Sequence, residues 1–126
     1  MSYFQNVGRR SKYGNHKQIT PDGQFDSYAE YDRWCELKYL QNAGLISDLK
    51  RQVKYELIPS QKDKHGKAVR AVNYNADFVY KENINGQIVV EDVKSPATAN
   101  DKTYKIKKKL MLYVHGIEIT EILNTR

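Results

Sequence analysis

The sequence predicts an α/β protein of the α+β type, with a mixed central sheet flanked by helices. With 126 residues, the chain is long enough for one hydrophobic core and too short for two. Its apolar residues change period along the chain in the order helix, three strands, helix, strand. The dipeptide Asn85-Gly86 is a tight-turn signal, which makes the middle strands antiparallel. We therefore expect a single domain over residues 27–126, preceded by a basic arm and loop over residues 1–26.

The first 26 residues combine basic side chains with turn formers. In "TPDGQ", Pro21 fixes φ and Gly23 permits a positive φ, a combination that is typical of turns. We expect a flexible arm that leads into a short hairpin or loop.

The first helix should begin at Ser27, a good N-cap, with Glu30 three residues later as its capping-box partner. Gly44 in "NAG" is suited to the C-cap position. Apolar side chains recur at helical spacing along one face, which should pack on the sheet: Tyr31, Trp34, Leu37 and Leu40. Cys35 has no neighbouring base, and we expect it to fill space in the core.

Three strands and a second helix should follow. The strands are expected over residues 49–58, 68–80 and 87–94, which are rich in β-branched and aromatic residues. The second helix should cover residues 102–114 and end at Gly116, with a last strand over 117–123. One apolar face of that helix would pack on the sheet, formed by Ile106, Leu110 and Tyr113.

The stretch "VVEDVKSP" at residues 89–96 places two acids within a run of valines. Because desolvating an unpaired carboxylate costs several kcal/mol, these acids need solvent, a partner or a ligand. If Asn85-Gly86 forms a two-residue type I′ turn, Asp77 lies opposite Lys94 and Val79 lies opposite Asp92. Asp77, Asp92 and Lys94 then share one face of the sheet.

This face admits two interpretations. Two carboxylates completed by waters suit Mg²⁺, and a neighbouring lysine can orient a water nucleophile or neutralise charge on a phosphate. Alternatively, Asp77 and Lys94 form a cross-strand ion pair while Asp92 stays solvated. Glu91 belongs to the opposite face, where we expect it to pair with a lysine or tyrosine of the facing layer.

The overall charge favours a polyanionic partner. Lysine and arginine total 21 against 15 acids, and the net charge of +6 suits nucleic acid better than an anionic membrane. One cysteine precludes an internal disulfide, and the sequence lacks both a membrane-spanning apolar segment and a Gly-rich phosphate loop. We therefore expect a cytoplasmic protein with neither a membrane partner nor a nucleotide cofactor.

The segments "NYNADFVY" and "VVEDVKSP" together resemble the D…(D/E)XK signature of the PD-(D/E)XK nuclease superfamily. Asp77 matches the first aspartate, Asp92 and Lys94 match the D-X-K triplet, and Ala76 stands where the nominal signature has proline. A longer pattern, from "KYGNHKQITPDGQFDSYAEYDRW" to "TYKIKKKLM", is similar to a small phage-encoded family assigned to that superfamily. This likeness spans roughly residues 12–122.

The resemblance implies a restriction-endonuclease-like fold with an αβββαβ core, the element order expected above. It also implies a Mg²⁺ or Mn²⁺ centre held by Asp77 and Asp92, with an acid of the first helix as its third member. Matching "FDSYAEYDRW" to the family pattern makes Glu30 that acid, acting directly or through water, with the capping box as its alternative role. Glu36 is the second choice for this position and Asp32 the third.

Under this resemblance the protein is a DNA endonuclease whose products carry 5′-phosphates. Lys94 would activate the attacking water and stabilise the pentacovalent phosphate. Gln52 would position a water or a phosphate, unless it is only a satisfied strand amide. Branched or Holliday-junction DNA is an expected substrate, because small junction resolvases share the superfamily, and symmetric cutting would require a homodimer. A phage-encoded enzyme of this kind would act in the host cytoplasm.

Basic side chains near the centre would hold the DNA backbone. The candidates are Arg9, Arg10, Lys12, His16 and Lys17 in the arm and loop, and Lys105, Lys108 and Lys109 on the second helix. Lys107 should point away from the sheet, while Tyr13 and Tyr104 either stack on sugars and bases or pack in the core. Two other functions stay open: a non-catalytic DNA- or protein-binding module on a nuclease-like fold, and a structural or inhibitory phage protein with an acidic partner.

Overall fold

The computed structural model describes the backbone of residues 5–10 and 16–124 and the side chains of residues 17–124. In chain order the elements are β1 (Gln5–Arg10), β2 (His16–Thr20), β3 (Gly23–Phe25), α1 (Tyr28–Asn42), β4 (Ile46–Ile58), β5 (Gln61–Lys62), β6 (Ala68–Val69), β7 (Val72–Glu82), β8 (Ile88–Lys94), α2 (Pro96–Ala99), α3 (Lys102–His115) and β9 (Thr120–Leu123). None of the helices described has both the length and the apolar content that a membrane crossing requires.

Four strands form a mixed sheet in the order β4-β7-β8-β9. The pairs β4/β7 and β7/β8 are antiparallel, and β8/β9 is parallel. Helix α3 lies in the connection between β8 and β9, since parallel neighbours need a crossover. The predicted α+β class and the core order helix, three strands, helix, strand are therefore confirmed. The second core strand begins later than expected, because residues 68–69 pair with β5 in a separate hairpin.

The sheet carries two hydrophobic cores. The core under α1 contains Phe25, Tyr31, Leu37, Ile46, Phe78 and Tyr80. The core under α3 contains Leu57, Tyr74, Ala76, Val79, Val90, Tyr104, Met111 and Ile119. Strict alternation would keep Tyr74, Ala76, Phe78 and Tyr80 on one face of β7, yet they divide between the two cores. The pleat of β7 is therefore interrupted at Asp77.

The β7–β8 hairpin differs from the prediction in its turn. The strands pair from Phe78↔Glu91 to Lys81↔Ile88, and the Glu82 amide donates to the Gln87 carbonyl across a loop of residues 83–86. The expected two-residue turn and its register were wrong, and the next step of the observed register sets Asp77 opposite Asp92 instead of Lys94. Because this register differs by two residues, which is one full period of the strand, the paired side chains of Phe78–Lys81 and Ile88–Glu91 stay on their predicted faces. Tyr74 and Ala76 lie on the other face from the predicted one, because the pleat is interrupted at Asp77.

Helix α1 begins and ends where predicted, but only one half of the expected capping box is formed, because the Glu30 side chain bonds to Gln52. Ser27 Oγ accepts a hydrogen bond from the Glu30 amide at 3.1 Å, and Gly44 has a φ of +80° just after the helix. The predicted stripe packs on the sheet, with two members buried and two half-buried: Tyr31, Leu37, Trp34 and Leu40. Cys35 was expected in the core and is instead exposed, because it lies off this stripe.

Helix α3 buries a different face from the predicted one. Asp101 caps its first turn and Gly116, with a φ of +67°, ends it as expected. The buried side chains are Tyr104 and Met111, whereas Ile106 is 59% and Tyr113 is 88% exposed. Leu110 alone of the predicted stripe packs against the core. The assignment of Ile106 and Tyr113 to the core was wrong.

The N-terminal segment forms its own three-stranded antiparallel sheet, β1-β2-β3. Thr20 pairs with Gly23 across Pro21 and Asp22, which confirms the predicted hairpin. The stretch expected as a flexible arm contains strand β1. Phe25 anchors this sheet in the core under α1, where it is 1% exposed. Lys12, Tyr13 and the side chains of Arg9, Arg10 and His16 lie outside what the structure describes.

Candidate active site

Asp77 lies where strands β7 and β8 separate. Backbone pairing between these strands ends at Phe78 and Glu91, and the Val93 amide donates instead to Asp77 Oδ2 at 2.8 Å. The carboxylate thus replaces a ladder hydrogen bond at the point where the sheet opens. Such an opening leaves room for a ligand beside the carboxylate.

Asp92 is 4% exposed and is held by two donors. The Tyr74 hydroxyl donates to Asp92 Oδ2 at 2.6 Å, and Lys94 Nζ lies 3.4 Å from Oδ1. The same ammonium lies 4.0 Å from the centre of the Tyr104 ring. Of the two interpretations left open by the sequence, the Asp77–Lys94 ion pair is not the one formed, because Lys94 pairs with Asp92.

Glu30 reaches the same place from the first turn of α1 and is 4% exposed. Gln52 Nε2 donates to Glu30 Oε1 at 3.1 Å and to Asp77 Oδ1 at 3.5 Å, so one amide bridges the two acids. Arg51 Nη2 lies 3.9 Å from Glu30 Oε1. Gln52 has a φ of +54° on strand β4, a costly conformation for a residue with a side chain. The structure therefore brings Gln52 into the predicted centre.

Glu36, the second choice for the helix acid, does not reach the centre. Its side chain is 63% exposed and pairs with Arg33 Nη1 at 2.9 Å. Asp32 lines a different cavity, between α1 and β9, together with Arg33, Glu36 and Ile122. Of the three helix acids considered from the sequence, Glu30 is the one near the hairpin aspartates.

Burial and mutual repulsion raise the pKa values of the acids. Desolvation first, and then the charge of Asp26, raise the pKa of Glu30 to about 7, against the lowering effect of Arg51. Desolvation, followed by the charges of Glu30 and Asp92, raises the pKa of Asp77 to about 9. Burial and the neighbouring Asp92 also raise the pKa of Tyr74, so that its hydroxyl remains a donor. Such a cluster of buried acids favours a bound cation.

Two adjoining cavities meet at this cluster and share Asp26, Asp77, Asp92 and Lys94 as lining residues. One cavity opens towards α3 and is also lined by Gln52, Tyr74, Asn75, Asp101, Thr103, Tyr104 and Lys107. The other opens towards the first turn of α1 and is also lined by Ser27, Glu30, Val93, Ser95, Thr98 and Asn124. The acidic cluster therefore lies at the centre of an open, polar cleft.

A divalent cation fits the donor set of this cleft. Asp77 and Asp92 present carboxylate oxygens, which are the ligands that Mg²⁺ and Mn²⁺ prefer. Within residues 17–124, however, no three His, Cys, Asp or Glu side chains are placed to hold one ion together. The reason is visible at Gln52, whose amide stands between Glu30 and Asp77. Two direct aspartate ligands, with Glu30 acting through water, are compatible with this arrangement.

Glu91 points to the opposite face, as predicted, and belongs to the attachment of α1. Arg33 Nε and Nη2 donate to its two carboxylate oxygens at 2.8 and 2.7 Å, and the Tyr80 hydroxyl donates to Oε2. The partner from the facing layer is thus Arg33 of α1 and not the expected lysine or tyrosine, while Tyr80 belongs to β7, the neighbouring strand of the same sheet. The hydrogen bond to Glu91 raises the pKa of the Arg33 guanidinium further.

The basic residues expected to hold DNA differ in their exposure. Lys17 on β2 and Lys105 and Lys109 on α3 are exposed, while Lys108 is half-buried and pairs with Glu121 at 3.4 Å. Lys107 was expected to point away from the sheet, and this was wrong, because it lines the cavity beside Asp77 and Asp92. Tyr104 is a core residue whose hydroxyl donates to Glu121 at 2.6 Å.

Sequence reasoning missed Tyr74, Asp26 and Lys107 as members of the cleft. Tyr74 carried no usable signal, because strict alternation puts a residue three positions before Asp77 on the opposite face of the strand, and only the interrupted pleat of β7 brings it to Asp92. Asp26 carried a usable signal, because it directly precedes the predicted N-cap Ser27 and therefore lies close to Glu30, which was already assigned to the site. Lys107 carried no such signal, since its position depends on which face of α3 is buried.

Comparison with known proteins places the chain in one family. No curated protein and no solved structure matches it. A family profile matches residues 10–123, which is most of the 126-residue chain. The chain therefore belongs to the family described as "Protein of unknown function (DUF1064)".

Proposed function

We propose that this protein is a metal-dependent DNA endonuclease of the PD-(D/E)XK type. The observation that carries the proposal is the convergence of Asp77, Asp92 and Lys94 with the helix acid Glu30 in one open cleft. These residues come from β7, β8 and α1, so only the folded chain assembles them. An acid cluster with raised pKa values beside a lysine is a typical arrangement for phosphodiester chemistry.

Each side chain has a distinct role in this proposal. Asp77 and Asp92 would hold Mg²⁺ or Mn²⁺, and Glu30 would act on the centre through water. When bound, the ion would polarise the phosphate and lower the pKa of a bound water. Lys94, positioned by Asp92 and the Tyr104 ring, orients the attacking water and offsets the charge that grows on the phosphate.

The reaction is hydrolysis without a covalent enzyme intermediate. The water oxygen bonds to phosphorus, the bond from phosphorus to the 3′ oxygen breaks, and the proton lost by water ends on that oxygen. The products then carry a 5′-phosphate and a 3′-hydroxyl. Asp77 and Asp92 stay in place throughout, because each accepts a hydrogen bond from the protein, from the Val93 amide and the Tyr74 hydroxyl.

DNA is the proposed substrate, held by the basic residues of the N-terminal sheet and α3. Branched DNA, including Holliday junctions, is the preferred form to test, and cutting both strands of a junction symmetrically calls for a homodimer. The proposed setting is phage DNA metabolism in the host cytoplasm.

The decisive experiment is a cleavage assay on supercoiled plasmid and on a four-way junction, with Mg²⁺, Mn²⁺ or EDTA. Wild type should cut at least one substrate with metal and none in EDTA. Asp92→Asn and Lys94→Ala should each slow cleavage by about 10²–10³-fold. Glu56→Gln, an exposed change on β4, should cut like wild type. Cleavage that survives in both site variants would refute the proposal.

A non-catalytic binding module is the second candidate function. It is favoured by the Gln52 amide, which holds Glu30 and Asp77 together without a metal. A protein of this kind would bind the junction in EDTA and in Mg²⁺ alike and would leave both substrates intact.

A further inference from the structure

Lys107 occupies a position on α3 that neither the catalytic scheme nor the basic candidates above include. It lies one helical turn after Tyr104, and its half-buried side chain lines the α3 cavity of the cleft together with Asp77, Asp92 and Lys94. A lysine at such a site can lay its alkyl stem along the helix and present its ammonium to the cavity.

The other two half-buried lysines near this cavity have acidic partners. Lys94 pairs with Asp92 and Lys108 pairs with Glu121, each at 3.4 Å. Lys107, by contrast, makes no ion pair with any residue in the part of the chain that the structure describes, although four aspartates line its cavity: Asp26, Asp77, Asp92 and Asp101. Its ammonium is therefore available to an anion that enters from outside.

The cleft is asymmetric in charge. The cavity on the α3 side has two lysines, Lys94 and Lys107, and its neutral polar side chains include Asn75 and Thr103. The adjoining cavity has Lys94 as its one cation among the described residues. A phosphate beside the acidic cluster would be repelled by the aspartates, so it needs a local positive charge, and that charge is found on the α3 side.

We propose that Lys107, with Asn75 and Thr103 beside it, forms a subsite for the DNA phosphate next to the one that is cut. This inference rests on the proposed nuclease function and adds a residue that fixes where the strand lies. Lys107 binds the neighbouring phosphodiester as a point charge, while Lys94 faces the scissile phosphate. The DNA strand is consequently gripped on the α3 side of the cleft.

The test uses a duplex or junction whose cut position has been mapped with wild type. Lys107→Ala should raise KM about tenfold, the effect of losing one charge-assisted contact, and should change kcat by less than about threefold. Lys107→Arg should restore most of the affinity. Lys67→Ala, which removes the same charge from the exposed β5–β6 loop, is the control and should resemble wild type.

Single methylphosphonate substitutions locate the contact. With wild type, a neutral phosphate on one side of the cut should raise KM as much as Lys107→Ala does. Combining the two changes should raise KM no further. If the rise in KM caused by Lys107→Ala adds to the rise caused by a methylphosphonate at either flanking position, the subsite proposal is wrong.

A binding measurement in EDTA separates the inference from the proposed function. Fluorescence anisotropy should give a salt dependence whose slope falls by about 1 for Lys107→Ala and not for Lys67→Ala. If wild type cleaves DNA and Lys107→Ala has the wild-type KM and slope, the subsite fails and the nuclease stands. If wild type never cleaves but the slope falls, the nuclease fails and Lys107 remains a phosphate contact.

Discussion

Three acids of the cleft, Asp92, Asp77 and Glu30, are each held by donors from different parts of the chain. The Tyr74 hydroxyl and Lys94 hold Asp92, the Val93 amide holds Asp77, and the Gln52 amide holds Glu30. These donors fix the carboxylates in position before any ligand arrives, which is the preorganisation that electrostatic catalysis needs. The positive φ of Gln52 is a local cost that brings its amide between two acids.

Tyr74→Phe tests this support at the scale of one atom. The ring remains in the core, but Asp92 Oδ2 loses its 2.6 Å hydrogen bond while it stays buried. We expect the free energy of unfolding to fall by about 1.5–3 kcal/mol, the range for a hydrogen bond to a charged group. Urea denaturation at pH 7 measures it. Tyr55 makes no side-chain hydrogen bond among the described residues, so Tyr55→Phe should lower the free energy of unfolding by well under half of the Tyr74→Phe value.

At the scale of elements, the ion pair between Arg33 and the buried Glu91 attaches α1 to the sheet and so helps to place Glu30 over the cleft. Arg33 donates two hydrogen bonds to Glu91, which is 1% exposed, and Tyr80 donates a third. Glu30 lies about one turn before Arg33 on the same helix, so the position of one depends on the other.

Arg33→Met should destabilise the protein by about 3–5 kcal/mol, because it leaves the Glu91 carboxylate buried without its cation. The double variant Arg33→Met/Glu91→Met should recover a large part of that loss, since no unpaired charge remains. Thermal unfolding followed by circular dichroism compares them. Lys38→Met removes the more exposed pair with Asp22 and should cost less than about 1 kcal/mol. A double variant as unstable as Arg33→Met would contradict this explanation.

The sequence was sufficient for the order of the core elements and for the faces of the paired hairpin residues, but not for the small strands, the interrupted pleat of β7 or the buried face of α3. Period-two alternation survives the wrong turn at residues 83–86, because the observed register differs from the predicted one by two residues. In α3, apolar side chains lie on more than one face, so spacing fits Ile106–Leu110–Tyr113 as well as Tyr104–Met111. Contact with the sheet decides between them. The position of Lys107 and the φ of Gln52 likewise follow from packing, and neither residue type indicates them.

At the scale of the whole molecule, an acidic cleft is set into a basic protein. The net charge is +6, yet the α3 cavity is lined by four aspartates and two lysines. Under the proposed function, the net positive charge would attract a polyanion and the acidic centre would attract a divalent cation to the point of cleavage. The same acids make the metal-free fold sensitive to pH.

The sign of that sensitivity follows from the raised pKa values. Asp77 has a pKa of about 9 in the folded protein against 3.8 for the unfolded group, and Glu30 about 7 against 4.5. The folded state therefore keeps protons that the unfolded state releases. The stability that these groups contribute is fully present below pH 4 and is lost as the pH rises to 9. In EDTA, we expect the free energy of unfolding to fall between pH 6 and pH 9.

Asp77→Asn should flatten this pH profile and stabilise the metal-free protein by about 1–2 kcal/mol at pH 8, because the amide oxygen still accepts from Val93 without a charge. Mg²⁺ at 100 times its Kd should stabilise wild type by about 2.7 kcal/mol at pH 8 and leave Asp77→Asn nearly unchanged. Chemical denaturation at pH 6, 8 and 9, with EDTA or Mg²⁺, measures all of these effects. Glu56→Gln again serves as the control. A wild-type free energy of unfolding that rises with pH in EDTA would show that the pKa of Asp77 is not raised. An equal Mg²⁺ effect in Asp77→Asn would show that Asp77 is not a metal ligand.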